Sequence, residues 1–178
     1  MPTLDNPLRL EIQKRLCDIL REITPDNGYV NDLSGAEGTE GNRLFRGRAI
    51  FGEGDPLPMV SVLESPIPLD QIPAPVDSGY NSGGWELMVQ GFVEDDKLNP
   101  TDPAQVLMAD VKKRLAIESK KVSAMRDEDG PLGLLRHVTR IVVGTGTVRP
   151  PDEISAKAYF WLLIVLDIVE DVTEPYQV

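Results

Sequence analysis

Residues 158–169 restrict this chain more than any other stretch. They are almost all apolar and rich in aromatic and β-branched side chains, which favours a strand. Successive side chains of a strand point to opposite faces. One face is then Ala158, Phe160, Leu162, Ile164, Leu166 and Ile168; the other is Tyr159, Trp161, Leu163, Val165 and Val169, interrupted by Asp167. Both faces are apolar, so both need covering. Helices can cover one; irregular segments or another subunit must bury the other. A buried helix over the same residues is the competing reading, because short apolar runs fit either element.

The rest of the chain supplies the covering elements. Leu8, Ile12, Leu16, Ile19, Leu20 and Ile23 recur at spacings of three and four, an amphipathic helix. Asn6 is expected to cap it with Pro7 in its first turn, and Pro25 with Asn27-Gly28 to stop it. A second helix is expected after Asp102-Pro103, burying Leu107, Val111 and Leu115. Strands are expected over 44–51, 59–64 and 85–93, the first two as an antiparallel pair, and over 138–148 and 156–169 as a final hairpin. On the first strand, Arg46 and Arg48 are expected to share a face. The stretches 33–42, 65–84 and 120–136 carry the glycines, prolines and charges of long loops. The expected fold is therefore a single α+β domain over 1–178. One mainly antiparallel sheet of about five strands carries two main helices, in the order α-β-β-β-α-β-β.

Composition narrows the function classes. The formal net charge is −11, which disfavours unassisted binding to nucleic-acid phosphates or an anionic membrane surface. The single cysteine, Cys17, excludes an intrachain disulfide framework and a multi-cysteine zinc site. The N-terminal residues lack the pattern of a signal peptide, and the apolar run 158–166 falls well short of the roughly 18 residues that suggest a membrane span. An intracellular place of synthesis is expected.

Residue types that carry chemistry are sparse. His137 is the only histidine, and a catalytic base needs a positioned partner; a structural role is expected. Cys17 lies beside the apolar stripe of the first helix, as a small hydrophobe does. Asp95-Asp96 and Asp127-Glu128-Asp129 lack the spacing of a calcium loop and read as solvated turns. Gly144-Thr145-Gly146-Thr147 lacks the Gly-Lys-Ser/Thr ending of a phosphate loop and reads as a hairpin tip. No serine has the Gly-x-Ser-x-Gly setting. Neither an enzyme nor a cofactor or metal site is expected.

A succession of short motifs adds a resemblance. The first helix leads into Asp26-Asn27-Gly28-Tyr29 and Asp32; Arg46-Gly47-Arg48 follows, then Asp55-Pro56-Leu57-Pro58 opening a strand that ends in Glu64. Trp85, Gln90-Gly91-Phe92-Val93, Pro100-x-Asp102-x-Ala104 and Ala109-Asp110-Val111-Lys112 come later. This order resembles the tail terminator (tail completion) proteins of tailed bacteriophages and related prophage elements, over most of the chain. The resemblance implies a structural virion protein of the tail and neck, assembled in the bacterial host cytoplasm. It would form a ring, hexameric as a rule, that caps the head-proximal end of the tail tube and stops its polymerisation. Its partners would be other copies of itself, the tail tube protein and the neck or head-connector protein, with DNA passing through the ring unbound. Arg46, Arg48, Tyr80, Trp85 and Trp161 are the candidate assembly residues. The 65–84 and 120–136 stretches depart from compact members of that family. A head–tail joining adaptor and a non-viral protein-binding domain are the alternatives.

Overall fold

Helix α1 spans Leu8–Leu20 and buries Leu8, Ile12, Leu16, Ile19 and Leu20, with Ile23 just beyond its end. This is the stripe that the spacing predicts. A computed structural model gives this and all that follows, and describes residues 4–52, 54–64, 79–123, 130–134 and 137–177. The strands are β1 (Leu44–Arg46), β2 (Met59–Glu64), β3 (Tyr80–Val93), β4 (Val138–Arg149) and β5 (Ala158–Asp171), and helix α2 spans Asp102–Ser119. They form one mixed sheet in the order β1-β2-β3-β5-β4. The expected α+β class and element order hold.

The sheet is built around β5. Tyr80 to Val93 of β3 pair antiparallel with Asp171 to Ala158 of β5, and β4 pairs antiparallel with the other edge of β5. The face bearing Phe160, Leu162, Ile164, Leu166 and Ile168 joins Trp85, Leu87 and Val89 of β3 in the core beneath both helices. Leu107, Val111 and Leu115 of α2 are fully buried there.

Three buried polar residues of α2 sit one turn apart and fasten the surrounding loops. The Asp110 carboxylate accepts the backbone N–H groups of Val30 and Asn31 at 3.1 and 2.9 Å. Arg114 donates to the Ile19 carbonyl at 3.1 Å and pairs with Glu22 and Glu118. Glu118 in turn accepts the Leu132 N–H at 2.8 Å. Each charge has a partner, which its burial requires.

Several expectations are corrected. Pro7, not Asn6, occupies the cap position of α1; the Asn6 side chain bridges Glu11 and Lys14 instead, and the Leu8 N–H is satisfied by the Pro175 carbonyl. Helix α2 begins at Asp102, with Thr101 in the cap position. The first strand ends at Arg46 rather than residue 51, because Gly47 turns the chain with φ of 66°, a geometry open to glycine. It pairs with β2 in parallel, not antiparallel, so the two strands are not joined as a hairpin. Strand β3 starts at Tyr80, so the loop expected over 65–84 ends earlier; its residues 65–78 lie outside the described residues. Gly144–Thr147 is not a hairpin tip but the middle of β4, at a register shift between Val143 and Gly146. Within the stretch 120–136, Lys120–Ser123 and Pro131–Gly133 form short 3-10 turns, and the acidic run 127–129 lies outside the described residues.

Candidate assembly surface

The second face of the sheet is the one that α1 and α2 do not cover, and its two halves differ. Near the start of β5, Met59, Phe92 and Tyr159 lie side by side in register across β2, β3 and β5. Phe45, Phe51, Leu57 and Trp161 pack against them. The ring centroids of Phe51 and Phe92 are 4.7 Å apart, those of Tyr159 and Trp161 5.3 Å. Such tilted and edge contacts are favourable arrangements of aromatic rings. Phe51 and Leu57, from the irregular chain between β1 and β2, therefore cover this half.

Arg48 holds that segment down. Its guanidinium lies 4.7 and 4.9 Å from the rings of Phe45 and Phe51, a cation–π distance. Nη2 reaches both Asp55 carboxylate oxygens at 2.7 and 2.8 Å. The Gly52 N–H also donates to Asp55 at 2.7 Å, and this bond, with that of Arg48, keeps the Asp55 carboxyl below its ordinary pKa.

Farther along β5 the face opens. Met88 lies opposite Leu163, and Val165 lies between Glu86 and Val142. Leu163 is 42% exposed and Val142 39%; Met88 and Val165 are half-buried. Trp161, also half-buried, stands where the covered and open halves meet. An ion pair of Arg140 with Asp167, 2.7 Å, borders the strip. These side chains form an apolar strip with a polar rim, a surface suited to contact with another macromolecule.

The five candidate residues fall in different places. Trp161 is part of this surface and Arg48 braces its covered half. Arg46 and Arg48 do not share a strand face, because the turn at Gly47 separates them. Arg46 bonds to the Glu37 carboxylate, which holds that carboxyl below its usual range. Tyr80 is exposed at the first residue of β3, opposite Asp171. Trp85 points into the core at 8% exposure, with the Arg9 guanidinium 5.2 Å from its ring. Its burial leaves almost no surface for an assembly contact.

The remaining chemical candidates have structural settings. His137 Nδ1 lies 3.0 Å from the Val169 carbonyl, joining the start of β4 to β5. Cys17 is fully buried, and burial pushes its thiol pKa up to about 11. Asp96 accepts the N–H groups of Leu98 and Asn99 in a turn. Among the described residues no cluster of three or more His, Cys, Asp or Glu side chains is placed to hold a metal ion, and no helix is long and apolar enough to cross a membrane.

Sequence reasoning found the β5 side of the surface and missed Met88, Val142 and the contact of Phe51 with Phe92. Alternation along β3 and β4 carries the signal for the first two. The last depends on a loop path that alternation does not encode. No protein-family model matches the chain, and no curated protein matches it either.

Proposed function

We propose that this chain is a structural protein of a bacteriophage or prophage tail: a tail terminator that forms a ring, hexameric by the resemblance, on the head-proximal end of the tail tube. In this reading it stops tube polymerisation and offers the surface to which the neck or head connector attaches. Its partners are further copies of itself, the tail tube protein and the connector, and it resides in the virion after assembly in the bacterial cytoplasm. The observation that carries the reading is the half-covered second face, where Met88, Val142, Leu163 and Val165 form an apolar strip on rigid strands. The order of elements and the motifs set out above support the resemblance to that family. The net charge of −11 suits a ring through which DNA passes without being held.

Deleting the gene and measuring tails in the lysate by electron microscopy tests this. Over-long or unjoined tubes beside free heads are expected. Tails of normal length that fail to hold heads would move the protein to a joining role in the neck, and intact infectious particles would reject the virion reading.

A further inference from the structure

Helix α2 has a second apolar side. Leu107, Val111 and Leu115 are fully buried on its inner side. The outer side carries Val106 and Ile117, 38% and 46% exposed, with exposed Ala109 and Ala116 between them. A surface helix ordinarily turns polar residues outward, and a helix apolar all round is one that becomes buried all round. The exposed charges of α2 are also of one sign. Asp110 and Glu118 are buried, so beyond its first residue, Asp102, the exposed surface of α2 and its C-cap presents Lys113 and Lys120 and no carboxylate. Lys113 donates to the Gly28 carbonyl and lies 4.4 Å from the Tyr29 ring, neutral partners that leave its charge in place. In a chain of net charge −11 this side is a basic exception.

The open strip on the far face of the sheet has the opposite character. Between Met88 and Tyr80 of β3, that face carries Glu86, Asp167 and Asp171 against one base, Arg140. Arg140 is taken by Asp167. Glu86 stands exposed beside Val165, with no ion-pair partner among the described residues. The strip crosses β3, β5 and β4, two strand spacings or about 10 Å, which is the width of one helix. Helix α2 packs on these strands from the first face, so its outer side and the strip point in opposite directions. One neighbour cannot meet both. Each contact therefore leaves a free helix at one end of the series and a free strip at the other, until the series closes on itself.

We propose that the open strip receives the outer side of α2 from a second copy of this chain, head to tail. This rests on the reading of the strip as an assembly surface and names its occupant. Sedimentation of the full chain and of single variants tests it. The unaltered chain is expected to pass beyond dimers as concentration rises. Ile117→Glu spoils the helix and Leu163→Glu the strip, so each should stay monomeric with unchanged circular dichroism; Val106→Glu should match Ile117→Glu. Mixed one to one, the Ile117→Glu and Leu163→Glu proteins should form a dimer and nothing larger, because one intact helix and one intact strip remain between them. Glu86→Lys should weaken association of the otherwise unaltered chain several-fold. A mixture that stays monomeric, or a folded Ile117→Glu protein that associates as the unaltered chain does, would overturn the proposal. So would an unaltered chain that is monomeric at every concentration. The tail-length experiment decides the terminator reading separately in each case.

Discussion

Phe160 occupies the space that a side chain at Gly91 would need. The two residues are directly opposite on β5 and β3, and a Cβ at Gly91 would fall 2.1 Å from Cε1 of the Phe160 ring. The ring is fully buried and cannot swing away. Gly91→Ala should therefore overpack the centre of the sheet and cost about 1–3 kcal/mol. Urea unfolding should show a lower midpoint with little change in slope.

Asp110 gathers the two backbone N–H groups of Val30 and Asn31 and the Asn31 side-chain amide on one oxygen. Asp110→Ala leaves those donors without their acceptor and should cost about 1–3 kcal/mol. Amide exchange at Val30 and Asn31 should quicken before any change in the β-sheet.

Burial places the Cys17 pKa near 11. A thiol kept protonated by the fold stabilises it while the unfolded thiol is also protonated. That contribution falls as pH rises through the unfolded value, near 8.5, toward 11. The folded protein should resist thiol reagents at pH 8 and react at once in denaturant. Cys17→Ala should remove the part of the alkaline stability loss that lies in this window.

The Tyr159 hydroxyl donates to Asp152 at 2.7 Å, and this bond is the largest cause of that carboxyl's lowered pKa. A depressed carboxylate contributes stability above its unfolded pKa and loses it as pH falls through the lower folded value. Its contribution should therefore fade below about pH 4. Tyr159→Phe should raise the Asp152 pKa in an NMR titration and flatten the acid limb of the stability curve.

Leu163 is the most exposed of the aliphatic side chains in the open strip. Leu163→Glu should change the stability of the isolated chain by only about 1 kcal/mol, yet abolish assembly measured as complementation of a deletion. Full complementation by a folded Leu163→Glu protein would remove the strip from the assembly surface.

Much of this fold is legible in the order of residues, and the failures have physical causes. The stripes of α1 and α2 are plain because one face of each helix must be apolar. Both faces of β5 are legible for the same reason at a period of two. The parallel pairing of β1 with β2 is not, since a turn-like sequence around Gly52 and Pro56 suits a hairpin as well as a returning loop. Trp85 enters the candidate surface only through the family resemblance, and its position in register with Leu166 sends it under α1. Gly144 and Gly146 look like a tip, but close approach of the Leu163 carbonyl to the first and of the Met108 sulfur of α2 to the second explains them within the strand. Of the candidate surface, Trp161 and Leu163 could be read in advance. Arg48 could be named, but its role bracing two phenylalanines could not.

The position of β5 has a consequence for biosynthesis. It is the fifth strand made, yet it lies between β3 and β4 and supplies the middle of the core. While the ribosome is still making the preceding residues, β3 has only β2 beside it and α2 has no complete sheet to lie on. Long-range pairings of this kind close slowly. The nascent chain therefore emerges with its apolar helix stripes uncovered and completes its fold only after β5 has cleared the exit tunnel, which makes that interval the one in which chaperones matter most.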